Sequence, residues 1–291
     1  MKRRKFIQQS SVLAFAAAVP SLGFAQGNKM DRIGLTTVVF RDRFEATSQD
    51  LKDKLTLPEV PEYFVDRFKI HNVEFWSRHF ESTSKAYLSD LSVKLKESAC
   101  QLIDIQVDTK NDISDTNEEN RLKGIQEMKD WIDVASFLGS KFVRVSQMRK
   151  SYDKSVESLR ELLKYATKKQ VTLLVENHFD MYSKLENQLN LVKDIRNKHF
   201  GLLADFGNYP AESRIEALVY IAPNTKLVSA KTTEFSDQME HLSFDFNQCI
   251  SIFEDSGYKG IYSLEQWSKL KPGDDPERFT DWMIEQVLAT I

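Results

Sequence analysis

Short runs of apolar and β-branched residues alternate along the chain with longer segments whose apolar positions recur at helical spacing. The runs occupy residues 32–40 (RIGLTTVVF), 72–76 (NVEFW), 102–108 (LIDIQVD), 141–147 (KFVRVSQ), 171–177 (VTLLVEN), 201–207 (GLLADFG), 226–231 (KLVSAK) and 260–267 (GIYSLEQW). Nearly continuous apolar character predicts strands buried on both faces, as in a parallel sheet covered by helices. Between them, Val156, Leu159, Leu162, Leu163 and Ala166 share one face of a helix predicted over 151–170, and Ile125, Met128, Ile132 and Ala135 do the same over 120–139. Ser151 and Asp153 offer N-caps to the first of these, Gly139 closes the second, and Asp275-Pro276 opens the last helix of the chain. Eight strands alternate with eight helices at about 30 residues per unit, the size of a βα unit. The predicted fold class is therefore α/β, a (β/α)8 TIM barrel with eight parallel strands. An open doubly wound sheet would show the same alternation, but no glycine-rich nucleotide loop follows the first strand.

The first residues stand outside this pattern. MKRRKFIQQSSVLAFAAAVPSLGFAQG has a basic start, an apolar stretch over 12–19 and small residues near Ala25. That is the pattern of an export signal, residues 1–25, with a stretch too short to span a bilayer. Arg3-Arg4-Lys5-Phe6-Ile7 resembles the twin-arginine type, which implies a folded protein delivered to the periplasm or otherwise exported. The expected mature chain, 26–291, is one TIM-barrel domain, with no low-complexity or Pro/Gly-rich linker to divide it.

Charge narrows the partners. The chain has 40 basic and 43 acidic residues, for a formal charge of −3. The signal holds Lys2, Arg3, Arg4 and Lys5 and no acid, so its removal leaves 36 basic against 43 acidic and a charge of −7. An acidic chain is a poor match for a phosphate backbone, so no nucleic-acid partner is expected. No other apolar run approaches transmembrane length, so no membrane partner is expected after signal removal. Cys100 and Cys249 are far apart, and buried free thiols are expected in preference to a disulfide.

The candidate chemistry lies where strands turn polar. Strand five ends in Glu176, strand six in Asp205 and strand eight in Glu265. Parallel strands put these ends on one face, where barrel enzymes place their active sites. Three converging carboxylates repel one another and call for protons or a cation. Oxygen-rich sites suit Mg²⁺ or Mn²⁺, and Zn²⁺ if a histidine joins. Alternation directs His178 to the same side as Glu176, pairs Glu74 with Trp76, Arg144 with Ser146, and Ser229 with Lys231. Lys231 among three acids is hard to explain as core filler.

At these residues the chain resembles the xylose isomerase-like TIM barrels, the sugar phosphate isomerase/epimerase superfamily. The resemblance covers essentially all of 26–291 and is strongest in VENH (175–178), ADFGNY (204–209), KLVSAKTTEF (226–235) and GYKGIYSLEQW (257–267), with VEFWSRHF (73–80) adding support. It implies a divalent metal held by Glu176, Asp205 and Glu265. The fourth ligand, usually a strand-seven histidine, is replaced by Ser229, which leaves two alternatives, His178 in its place or the charge of Lys231 with no metal at all. It implies a small carbohydrate substrate and an isomerase or epimerase that forms a metal-stabilised enediolate. In that reading Glu176, Glu265 and Lys231 are catalytic, and His178, Glu74, Trp76 and Arg144 bind substrate. A metal-dependent lyase or dehydratase on a keto-polyol or keto-glycoside, and a non-catalytic sugar-binding barrel, fit the same residues.

Overall fold

Each apolar run becomes a strand, and each strand pairs in parallel with the next until the last returns to the first. A computed structural model describes residues 28–48, 53–146, 148–178, 180–268 and 274–291. Its strands are β1 (Ile33–Thr36), β2 (Asn72–Trp76), β3 (Gln101–Gln106), β4 (Phe142–Arg144), β5 (Thr172–Glu176), β6 (Phe200–Asp205), β7 (Thr225–Thr232) and β8 (Tyr262–Gln266). They form a closed barrel in chain order, sealed where β1 meets β8 with Leu35 opposite Leu264. This is the (β/α)8 TIM barrel expected from the alternation. The export signal and the linker-free domain boundary at residue 26 lie outside the described residues.

The helices are α1 (Val60–Phe68), α2 (Lys85–Glu97), α3 (Glu118–Leu138), α4 (Tyr152–Lys169), α5 (Leu185–Asp194), α6 (Arg214–Ile221), α7 (Phe246–Asp255) and α8 (Pro276–Thr290). The periodic apolar faces of α3 and α4 are buried against the barrel. Ser151 accepts the amide of Lys154 at the start of α4, and Asp275 that of Glu277 at the start of α8. Gly139 ends α3 in the left-handed region at φ 76°, where its lack of a Cβ removes the strain. Among the described residues no helix is long and apolar enough to cross a membrane.

Two expectations are corrected in detail. Residues 37–40 are not strand: Thr37–Arg43 forms a 3₁₀ segment that Thr36 opens by accepting the amide of Val38. Val38, Val39 and Phe40 are buried all the same, so their apolar run reflects packing across the barrel end rather than pairing. The strand expected over 141–147 stops at Arg144, and Gln147 lies outside the described residues. Cys100 and Cys249 are both free; Cys249 is buried and Cys100 only half-buried.

Candidate active site

The site grows out of a two-residue step along the inward face of the strands. Ile103, Phe142, Leu174, Leu203 and Leu227 form an apolar plug inside the barrel, separate from the larger core between strands and helices. Two positions further along their strands stand Arg144, Glu176, Asp205 and Ser229. One more step brings Lys231, which lies opposite Glu265 in the β7–β8 register. A register shift between β2 and β3 leaves Ile103 unopposed and sets Glu74 beside Asp104. The interior of the barrel thus changes over one layer from hydrocarbon to charge.

Lys231 is the centre of this layer. Its Nζ is 3.2 Å from Asp205 Oδ2 and 3.3 Å from Glu265 Oε1. It donates to Asn208 Oδ1 at 3.1 Å, and the Asn208 amide donates in turn to Glu176 Oε1 at 3.1 Å. The other oxygen of Glu176 is 3.4 Å from Arg144 Nε. Gln106 Nε2 donates to Glu74 Oε1 at 2.5 Å and to Glu265 Oε2 at 3.1 Å, and the Ser229 hydroxyl donates to that same Oε2 at 3.2 Å. Asn177 pins the end of β5 to β6 through both backbone groups of Asp205, donating to its carbonyl at 2.9 Å and accepting its amide at 2.7 Å.

Burial and charge push the carboxyls apart in proton affinity. Burial raises Glu176, and Arg144 and Lys231 only partly offset it. Burial likewise raises Asp205 to about 7 in spite of Lys231. At Glu265 burial acts upward too, but Lys231, Gln106 and Arg144 outweigh it and hold the group below the usual carboxylate range. Burial also acts against the Lys231 ammonium, yet Asp205, Glu265 and Glu176 raise it, so it stays charged. Glu74 is pushed well up by burial and by Asp104 beside it. His178 is lowered to about 4 by burial and by Arg144 and Lys231, which keeps its ring neutral near pH 7. Carboxylates of unlike proton affinity in one cleft mark candidate acids and bases.

Above this layer opens a pocket of about 330 Å³ lined by Gln106, Asp108, Arg144, Glu176, His178, Lys231 and Glu265. Its size is at the lower end for small-molecule sites. Trp76 and Trp267 supply its apolar walls, edge to face with centroids 5.9 Å apart. Arg78 covers the ring of Trp76 and Arg41 that of Trp267. Trp76 is held by its indole N–H, which donates to Asp108 Oδ2 at 2.9 Å.

Of the residues expected from sequence, Glu176, Glu265, Lys231, His178, Trp76 and Arg144 line the pocket. Asp205 and Glu74 do not; both are buried beneath it, Asp205 against Lys231 and Glu74 under Gln106. Gln106, Asn208, Asp108 and Trp267 join the site without a sequence expectation. The signal for Gln106 was available, since β3 also turns polar at its end, but an amide there looks like a strand terminus.

The residues present do not fit a divalent metal as the resemblance implies. Among the described residues no group of three or more His, Cys, Asp or Glu side chains is arranged to hold one. The space between Asp205 and Glu265 is held by the Lys231 ammonium, and Ser229 spends its hydroxyl proton on Glu265.

The profile of the xylose isomerase-like TIM barrel family matches residues 62–286. The L-ribulose-5-phosphate 3-epimerase of Escherichia coli strain K12 is 24% identical over 184 residues, 56% of this chain and 63% of that enzyme. The match thus spans less than two thirds of that relative's length. The structure of D-psicose 3-epimerase with D-tagatose from Clostridium cellulolyticum H10 superposes with a TM-score of 0.70 at 12% identity, covering 89% of this chain and 99% of that one. A xylose isomerase-like TIM barrel protein from Mycobacterium smegmatis in complex with magnesium gives 0.64 at 16% identity, covering 89% and 97%. At such identities the structures establish a shared fold.

Proposed function

Because the chain belongs to the xylose isomerase-like TIM barrel family, we propose that it isomerises or epimerises a small sugar or sugar derivative by moving a proton beside a carbonyl. The observation that carries this reading is the pair Glu176 and Glu265, unequal in proton affinity and lining one pocket with Lys231 and Arg144. The sugar epimerases among its relatives and structural neighbours support it.

The chemistry follows from the residues. Glu265, ionised, takes the proton from the carbon next to the carbonyl. The C–H electron pair moves into a new C=C bond, and the carbonyl pair moves to oxygen, giving an enediolate. Arg144, whose Nη1 has no hydrogen-bond partner in the protein, donates to an enediolate oxygen, and Lys231 adds its positive charge from beneath. Glu176, cast as the acid of the pair because burial raises its proton affinity, returns a proton. Delivery to the opposite face of the same carbon gives the epimer, and delivery to the neighbouring carbon gives the isomer. The two carboxyls then reset their protons through solvent. Trp76 and Trp267 give the C–H side of a sugar an apolar wall to pack against.

We place this activity outside the cytoplasm. The support is Arg3-Arg4 ahead of the apolar stretch at 12–19, which resembles a twin-arginine signal.

Purified protein incubated with ketoses, aldoses and keto-glycosides should convert at least one to an epimer or isomer separable by chromatography. Glu265→Gln should abolish the conversion. A panel in which every sugar is recovered unchanged while binding is detected would leave a sugar-binding barrel, and loss of water or an alcohol would make the protein a lyase.

A further inference from the structure

We propose that the Lys231 ammonium is the resident cation of this site, standing where a divalent ion would otherwise sit, so that this barrel works without a metal. The inference deepens the proposed reaction by naming its electrophile, but it stands on geometry that requires no knowledge of the substrate.

One charged nitrogen serves all three strand-end carboxylates. It contacts Asp205 at 3.2 Å and Glu265 at 3.3 Å, and reaches Glu176 through the Asn208 amide. An ammonium is a compact charge with three donors, and here Asp205, Glu265 and Asn208 surround it. The side chain is only 5% exposed. Its stem is cradled by the turn after β6. A Cβ added to Gly207 would lie 3.3 Å from Lys231 Cδ and 3.5 Å from Asp205 Oδ1. Even a methyl there would press on the lysine stem while touching Asp205.

Most of the oxygens a metal would need are already engaged, and Asp205 Oδ2, which accepts no hydrogen bond, faces the ammonium at 3.2 Å. Asp205 Oδ1 accepts the Gly207 amide at 2.7 Å. Glu265 Oε2 accepts from Gln106 and Ser229, and Glu176 Oε1 accepts from Asn208. A divalent ion entering between these carboxylates would meet the buried ammonium within a few ångströms, in a medium where like charges repel strongly. Glu176 is satisfied from its other side by Arg144. These two cations therefore divide the carboxyl layer between them, Lys231 on the β6–β8 side and Arg144 on the β4–β5 side.

Metal content tests this without a substrate, so its outcome is independent of whether the proposed sugar chemistry holds. Wild-type protein, Lys231→Ala and Lys231→Arg are stripped with EDTA, exposed to Mn²⁺, desalted and assayed by mass spectrometry, with melting followed in parallel. Wild-type protein and Lys231→Arg should retain no stoichiometric metal and melt at the same temperature with and without Mn²⁺. Lys231→Ala should take up Mn²⁺ stoichiometrically and melt higher in its presence. Stoichiometric Mn²⁺ on the wild-type protein overturns the proposal. So does a folded Lys231→Ala that takes up none, because the lysine would then not be filling a cation site. If Lys231→Ala fails to fold, the wild-type and Lys231→Arg measurements decide.

Discussion

Asp104 shows what a single buried carboxyl does in this barrel. It is fully buried beside Glu74, and neither oxygen has a well-formed hydrogen bond, although the amides of Arg144 and Ile105 point toward it. Burial raises it to about 7, against which Arg144 acts only in part. The fold therefore binds this proton more tightly than the unfolded chain does. The associated stability is complete below about pH 4 and is lost as pH rises through the folded value near 7. Asp104→Asn is neutral throughout, so its melting temperature relative to wild type should climb between about pH 5 and about pH 8. A difference independent of pH contradicts the assignment. At the same scale, Glu265 depends on Lys231 for its low proton affinity. Activity should fall on the acid side as Glu265 takes a proton and on the alkaline side as Glu176 loses one. Lys231→Met leaves burial to dominate at Glu265, so the acid limb should move to higher pH. An unmoved limb would separate Lys231 from the base.

Single elements explain what was legible in the sequence and what was not. The acids of β5, β6 and β8 could be read because each closes an apolar run, and a parallel strand becomes polar only where it emerges. Asp104 could not, because the β2–β3 register shift that sets it against Glu74 has no local signature. Asn208 was equally hidden: in ADFGNY nothing marks it as the bridge from Lys231 to Glu176, which depends on how the turn folds back over β7. Trp267, one residue past the end of β8, reads as a strand end in the sequence, yet it forms a wall of the pocket. Asn177 has the opposite parity to Glu176 and points away from the site, as alternation requires, and its role is to join two strand ends. Asn177→Ala would leave the Asp205 amide and carbonyl buried without partners, at about 1–3 kcal/mol for each. Urea melts should show that loss in the midpoint with an unchanged slope. A midpoint shifted by less than one such loss would mean the strand ends are held by something else.

At the scale of the molecule, alternation predicts parallel strands, and it was the count of eight, with no glycine-rich loop after the first strand, that favoured closure over an open sheet; β1 does meet β8. The charge layer was only partly foreseeable: the convergence of carboxylates follows from topology, but their neutralisation by a lysine depends on reach and on the Gly207 turn. The leading residues belong to the same scale, since a twin-arginine route would carry the closed barrel already folded. Arg3→Lys with Arg4→Lys should leave unprocessed protein in the cytoplasm, as cell fractionation would show. Unimpaired export of that double variant would remove the twin-arginine assignment.

The central claim is that a proton leaves and returns to carbon through Glu265 and Glu176 under the charge of Lys231. Once a converted sugar is in hand, the reaction run in D₂O measures this directly. Product, and substrate recovered before equilibrium, should each gain one deuterium on the carbon beside the carbonyl. Glu176→Gln keeps the side-chain shape but cannot return the proton, so turnover should fall by about 10²–10⁴-fold. Exchange into recovered substrate should survive better than product formation, since Glu265 still removes the proton. Product formed at the wild-type rate with no solvent deuterium, and undiminished by Glu176→Gln, would contradict the account.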